Sequence, residues 1–309
     1  LETSNSEAEE SLADAKEKLR AHPLVHWSRK ELGDRVPERI VSLVPSLSEA
    51  LVVLGLGDRL VGVTEYCVHP ADAFGNLPRL GGTKDADVEA IAAVSPDLVI
   101  ANQEENTARV VRQLAEQAID VWVTYPRTVR EGAELLADLA SLGASPEAIE
   151  RHVAPSLSAV EAAEKARAGE RGKLPKVFCP IWRDPWMTIG QDTYIHDMIE
   201  LSGGENLCVE PPFVSGSAEQ RSAGSSGGRR YPIVDLDEVL AAQPDVILLP
   251  DEPYAFDVWD KRRLTRTDCP AARDGRVHLI DGTLVSWYGP RIAEAIRALA
   301  TIFANSSGT

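Results

Sequence analysis

Apolar positions recur at three- and four-residue spacing in Val88–Val94, a Pro-Asp pair follows, and a short apolar run then extends to Ala101. The same order returns at Leu236–Leu249, LDEVLAAQPDVILL against VEAIAAVSPDLVIA. The first half of each copy reads as an amphipathic helix. Proline ends it, because the residue before proline is pushed out of the helical region. The run that follows, rich in Val, Ile and Leu, reads as a strand buried on both faces. One copy in each half of the chain predicts two lobes of similar build rather than one sheet, with a ligand cleft between them.

The pattern around the copies fills in both lobes. Ile40–Val44 reads as a strand ended by Pro45, with Ser46 as the N-cap of a helix running to Leu54 and Glu49 completing a capping box. Gly55 and Gly57 close that helix. Strand Leu60–Val63, helix Val110–Gln117 and strand Val121–Thr124 follow, and this alternation implies a parallel sheet covered on both faces. From Pro146 to Ala168 the chain reads as one long helix and a rigid connector, which Pro155 should kink or start. Strand Val177–Pro180, helix Thr193–Leu201, closing strand Val277–Ile280 and helix Arg291–Phe303 build the second lobe. The expected division is a tail or helix over 1–36, acidic and polar at its start, an N-terminal lobe over 37–145, a connecting helix over 146–172 and a C-terminal lobe over 173–309. A Ser- and Gly-rich insert at 210–231, with Arg221, Arg229 and Arg230, reads as a flexible loop.

Composition narrows the function classes. A formal net charge of −16 over 309 residues repels phosphate backbones, which argues against nucleic acid as a partner. No apolar run is long enough to span a bilayer. The first residue is Leu1, so the chain is read as processed or trimmed, which leaves both an export signal and the compartment open. Cys67, Cys179, Cys208 and Cys269 form no Cys-x-x-Cys pair, which disfavours a structural zinc site and leaves disulfides and compartment open.

Chemistry-bearing residues gather just after the strands, where open parallel sheets bind their ligands. Ser46 follows the first strand at a helix N-terminus, and Tyr66, Cys67 and His69 follow the second. Asn102 and Gln103 follow the first repeat's strand, and Tyr125 and Arg127 follow the next. Trp182, Arg183 and Trp186 open the second lobe's loops, Tyr254 follows the second repeat, and Trp287, Tyr288 and Arg291 follow the closing strand. Aromatic loop tips suit a large flat ligand, and Arg127, Arg183 and Arg291 suit its anionic groups. No catalytic dyad, phosphate-binding glycine loop or His-x-x-x-His pair accompanies them. An enzyme built on Ser46, Tyr66, Cys67 and His69 is the rival from another class, and a sensor or storage protein of the same fold is a third reading.

Several ordered motifs give a resemblance. Arg39-Ile-Val-Ser-Leu-Val-Pro-Ser-Leu-Ser-Glu, Leu60-Val-Gly-Val-Thr, Pro78-Arg-Leu-Gly-Gly-Thr, Ser95-Pro-Asp-Leu-Val-Ile-Ala and Ser202-Gly-Gly-Glu-Asn-Leu resemble the cobalamin-binding and iron-complex-binding class of ABC-transporter substrate-binding proteins. The resemblance covers Pro37 to Phe303. It implies an α/β fold of two Rossmann-like lobes with mostly parallel sheets, joined by one long α-helix. It implies a receptor rather than an enzyme, with no intrinsic cofactor. The cargo would be a corrinoid, haem or ferric siderophore, handed outside the cytoplasm to an ABC permease by a monomer. Pro45, Ser46, Tyr66, Asn102, Gln103, Trp182, Trp186 and the loop Ser286–Arg291 match its ligand-lining positions, although the cobalamin binders carry tryptophan where this chain has Asn102. His69 is the candidate axial ligand to the cargo's metal, with Tyr66 next, against the reading that His69, beside Pro70, only shapes a turn. The family docks on its permease through a glutamate on each lobe; Ala108 and Asp237 stand there, with Glu104, Glu105 and Glu238 beside them.

Overall fold

The structure is a computed structural model and describes residues 17–170, 172–207 and 230–304. Most of the insert at 210–231, Arg221 and Arg229 among it, lies outside the described residues, as do Cys208 and residues 1–16. The described chain forms two compact units. One holds residues through Tyr125 together with Leu135–Val153, and the other holds Pro126–Glu134 together with the chain from Ala154.

In the first unit β1 (Val25–His26), β2 (Ile40–Ser42), β3 (Leu60–Val63), β4 (Leu98–Asn102) and β5 (Val121–Thr124) lie in the order β1-β5-β4-β2-β3, every pair parallel. Val41 pairs with Val99 and Val99 with Val121. These valines pack on one face against Ile91, Val110, Val111 and Leu114 from the helices Val88–Ala93 and Ala108–Glu116. The alternate positions Ile40, Ile100 and Trp122 are buried too, so the sheet is covered on both faces, as its near-continuous apolar runs require. Asp87 and Thr107 cap the two helices by accepting from Ala90 N–H and Val110 N–H.

The N-terminal stretch is more than a tail. Val25–His26 joins the sheet edge beside Val121–Trp122. His26 Nε2 lies 2.6 Å from Asp120 Oδ1, and Arg35 grips the same carboxylate at 2.8 and 2.9 Å. A two-residue strand leaves no periodicity to read, which is why sequence alone assigns this stretch no element.

The second unit repeats the plan. β6 (Lys176–Phe178), β7 (Pro180–Trp182), β8 (Met187–Thr188), β9 (Glu205–Asn206), β10 (Val246–Pro250) and β11 (Val277–Ile280) give a parallel sheet β11-β10-β6-β9 and an antiparallel hairpin β7-β8. Phe178, Ile247, Leu249 and Val277 form its core with Val239, Leu264 and Trp186. Both repeat copies are realised: helix Leu236–Ala241 runs into β10 as helix Val88–Ala93 runs into β4.

Two sequence expectations need correction. Ser46 is not the N-cap of its helix: Val44 is, Pro45 takes the first helical position of Pro45–Val53, and no side chain caps the end. Proline prefers that first position, where its missing N–H costs nothing, so the helix starts one residue early and the capping box with Glu49 does not form. The connector is not one regular helix either. Pro146–Ala148 is α-helical, Ile149–Val153 winds as a π-helix, and Ala154–Gly169 is α-helical again. Pro155 supplies no N–H and its ring crowds the turn before it, and the wider π turn accommodates both. The unit boundary falls there, between Val153 and Ala154. A further helix that the sequence reading does not include, Val129–Ala140, is also divided between the units.

Candidate functional site

In each unit most of the residues singled out from the sequence follow the C-terminal ends of parallel strands, while Trp182, Arg183 and Trp186 sit on the antiparallel β7-β8 hairpin that comes directly after β6. In the first unit Pro45 and Ser46 are buried at the start of the helix after β2. Ser46 Oγ is buried with no hydrogen-bond partner, at a helix end whose free N–H groups favour anionic or acceptor groups. Tyr66, after β3, is 61% exposed. Its ring rests over Gly82, where an added Cβ would sit 3.4 Å from Tyr66 Cε2 and only 2.3 Å from Asp85 Oδ1. Arg79 Nη1 donates to the carbonyls of Thr64 and Cys67 at 2.9 and 2.8 Å and so fixes the turn that carries the tyrosine.

Asn102 is a staple of its own loop. Oδ1 accepts from the N–H groups of Glu104 and Glu105 at 2.7 and 3.2 Å, and Nδ2 donates to Thr124 Oγ1 at 3.3 Å. Asn106, which the sequence marks only as a residue of the same loop, completes the staple. Its Oδ1 accepts from Asn102 N–H at 2.7 Å, and Nδ2 donates to the carbonyls of Leu43 and Thr83. Gln103 and Tyr125 are half-buried beside it.

Cys67 does not have the setting of a nucleophile. It is wholly buried, with Ser48 Oγ and Thr64 Oγ1 at 3.1 and 3.2 Å from Sγ, and burial pushes its thiol up from the ordinary value. No base addresses Ser46 Oγ. His69 stands exposed on the same turn as Tyr66. Among the described residues no group of three His, Cys, Asp or Glu side chains is placed to hold a metal ion.

The second unit's edge is aromatic. Trp182, at the end of β7 and 44% exposed, meets Tyr254 edge-on with ring centres 5.5 Å apart. The Arg183 guanidinium lies 5.8 Å over the Tyr254 ring and pairs with Asp260, a nearly wholly buried carboxylate in the helix Val258–Leu264. Tyr254 leans in turn on Phe256 at 4.7 Å. Trp186 departs from expectation: it is 7% exposed, stacked on Phe256 at 5.9 Å and part of the core. The β7-β8 hairpin turns it inward, so it supports the ligand edge from below. Trp287 and Tyr288 are also mostly buried. Arg291 lies 5.2 Å over the Trp287 ring, and Tyr288 meets Tyr194 edge-on at 5.5 Å. Arg127 is exposed and ion-paired with Asp192 at 2.9 Å. Phe256, Asp260 and Tyr194 were missed from sequence. Asp260 could have been found, since Asp257 and Asp260 stand at the spacing of a capping box that the structure confirms.

The residues expected to meet a permease fall on both units. Glu104 and Glu105 lie on the loop after β4, where Lys84 Nζ donates to the Glu104 carbonyl. Asp237 and Glu238 are exposed in the first turn of helix Leu236–Ala241, where negative charge favours the helix end. No helix among the described residues is long and apolar enough to cross a membrane.

Comparison with known proteins places this geometry. Residues 40–283 match the family model described as periplasmic binding protein. The vitamin B12-binding protein of Vibrio cholerae is 24% identical over 265 residues, 85% of this chain and 88% of its own length. The uncharacterized ABC transporter substrate-binding lipoprotein YvrC of Bacillus subtilis is 25% identical over 271 residues, 85% of this chain and 79% of its own. Among solved structures, the periplasmic vitamin B12 binding protein BtuF of Vibrio cholerae superposes with a TM-score of 0.72 at 23% identity, covering 89% of this chain and 99% of that one. The periplasmic haem-binding protein RhuT of Roseiflexus sp. RS-1 gives 0.70 at 24%, covering 88% and 99%. With one parallel sheet in each of two α/β units, the fold of BtuF and a family match across most of its length, this chain belongs to the periplasmic binding protein family.

Proposed function

We propose that this protein is the receptor of an ABC importer and that its cargo is a corrinoid of the cobalamin type or a closely related metal chelate. The observation that carries this is the exposed Trp182 set edge-on against Tyr254, with the Arg183 cation over the tyrosine. An open aromatic surface beside a cation suits a large flat ring system with anionic or amide side arms. Taken by itself, the first unit offers polar groups suited to such arms, the unpartnered Ser46 Oγ and the free N–H groups at the start of helix Pro45–Val53. The relatives named for vitamin B12 and haem support this cargo class. On this reading the protein works outside the cytoplasm and releases its cargo unchanged. It meets the permease through Glu104 and Glu105 on one unit and Asp237 and Glu238 on the other.

A haem or ferric chelate is the second reading, favoured by the exposed phenol of Tyr66, since phenol oxygen is an established ligand of ferric iron in haem proteins. The test is incubation with cyanocobalamin, haemin and a ferric siderophore, then desalting and an absorbance spectrum. Retention of cyanocobalamin in equal amount to protein is the expected result. Haemin retained in its place, with bands that move in Tyr66→Phe or His69→Ala, selects the second reading. Loss of all three overturns the proposal.

A further inference from the structure

The loops that follow β10 and β11 are tied to each other at one carboxylate, Glu252. Its Oε1 accepts from Ser286 Oγ at 2.7 Å, and the Trp287 side chain, whose only donor is the indole N–H, hydrogen-bonds the same carboxylate. Its stem lies against Gly282, where an added Cβ would stand 2.5 Å from Glu252 Cγ and 2.8 Å from its backbone nitrogen, so only glycine permits the approach. Gly282 N–H in turn donates to Asp251 Oδ1 at 2.7 Å. Tyr254 rides on the first of these loops, and Trp287, Tyr288 and Arg291 ride on the second.

We propose that Glu252 is a positioning residue for the cargo site, holding the Trp287 indole and through it Arg291 in place when ionised and loosening both when it takes up a proton. This rests on the receptor reading above, since it concerns residues of that site. Trp287 is held at its N–H edge by Glu252 and on its face by Arg291, whose Nη1 donates to Thr283 Oγ1 at 2.9 Å and lies 3.6 Å from Asp281 Oδ2. An ionised carboxylate accepts from both the indole and Ser286; in the neutral acid the O–H can turn to Ser286 Oγ, whose own proton then goes to the Gly282 carbonyl at 2.9 Å, but an indole N–H cannot accept a proton and is held more weakly. The charged groups that face Glu252 are Asp251 on its own loop and Asp281 on the opposite one, and both carboxylates favour its neutral form. Burial pushes the Glu252 carboxyl above the usual range, Asp251 and Asp281 add to this, and the two hydrogen bonds only partly oppose it. The clamp therefore releases at a milder acidity than an ordinary glutamate would allow.

The test reads tryptophan emission against pH without any cargo, as the difference between the wild-type chain and Trp287→Phe. A titration step above the ordinary glutamate range is expected in the wild type. It should be absent from Glu252→Gln, which cannot ionise, and moved in Glu252→Asp. Affinity for cyanocobalamin, measured in parallel, should weaken about tenfold or more as pH falls through the step, the scale of one lost hydrogen bond to a charged group. In Glu252→Gln it should stay flat over that range. A step that survives Glu252→Gln, or no step in the wild type, overturns the clamp. A step with no binding of any chelate keeps the clamp and overturns the receptor reading instead. Circular dichroism at each pH separates a local step from unfolding.

Discussion

The two units share a sheet plan but hold their ligand edges by different physics. In the first unit the edge is stapled by neutral amides: Asn102 and Asn106 satisfy each other's loop, the carbonyls of Leu43 and Thr83, and two successive N–H groups. The unit's charged cluster, His26, Arg35 and Asp120, lies at the opposite edge, just before β5. In the second unit charge comes to the ligand edge itself, as Arg183 against the buried Asp260, and stacked rings replace amides. One edge is thus built to hold a backbone shape, the other to present flat apolar surface and a cation.

The largest effect is expected from the charge. Asp260→Ala leaves Arg183 without its buried partner and removes one half of the capping box with Asp257. Arg183 keeps solvent and Asp184 at 3.3 Å, so the cost is that of a charge-assisted hydrogen bond plus half a cap, about 3 kcal/mol together, read as a shift of the urea midpoint, and the exposure of Trp182 and Tyr254 should change with it. A midpoint unchanged from wild type would show that the ring contacts alone hold this edge. Next comes the amide staple. Asn106→Ala orphans the Asn102 N–H and the Leu43 and Thr83 carbonyls. About 2 kcal/mol of stability should go with them, and Asn106→Asp should recover little, since it cannot donate to the two carbonyls. Trp182→Ala should leave stability within experimental error and weaken chelate binding several-fold, from a stacking contribution of about 1 kcal/mol. Equal binding in the variant would move the aromatic contact elsewhere on the edge.

The smallest effect is a slope. Burial opposes ionisation of Asp120, but the hydrogen bonds from Arg35 and His26, with the charges of both, outweigh it and hold the carboxyl below its usual range. A depressed carboxylate stabilises the fold above its unfolded pKa, and that share is lost as pH falls through the folded value. Asp120→Asn should therefore flatten the acid limb of the first unit's stability curve, in chemical denaturation followed by hydrogen exchange at β1 and β5. An acid limb of unchanged slope would mean that other carboxylates carry it.

Much of this architecture was legible from the chain. The repeated helix-Pro-Asp-strand pattern places four elements because each copy carries its own period and its own stop signal. The strand-end positions followed from parallel topology, and Trp182 and Tyr254 meet there. What escaped depends on contacts remote in sequence. Trp186 looks like its neighbour Trp182 in the chain, but Phe256, seventy positions on, makes it core. Ser46 carried a capping signature that the proline beside it overrode. Asn106 is an ordinary loop residue until Leu43 and Thr83 come within its reach.

The divided helix Val129–Ala140 has a consequence for anyone cutting this protein in two. Its first turns and the three residues before them, Pro126–Glu134, belong with the chain from Ala154, to which the backbone joins them only by way of the other unit. Asp197 Oδ2 accepts from Val129 N–H at 2.6 Å, and Gly132 lies so close to Tyr288 and Tyr194 that a methyl there would stand 2.9 and 3.0 Å from them. A gene fragment beginning at Ala154 would express a half missing one wall. The same fragment supplied in trans with a peptide spanning Pro126–Glu134 has what it needs to be rebuilt, which makes this helix a natural seam for split-protein reporters.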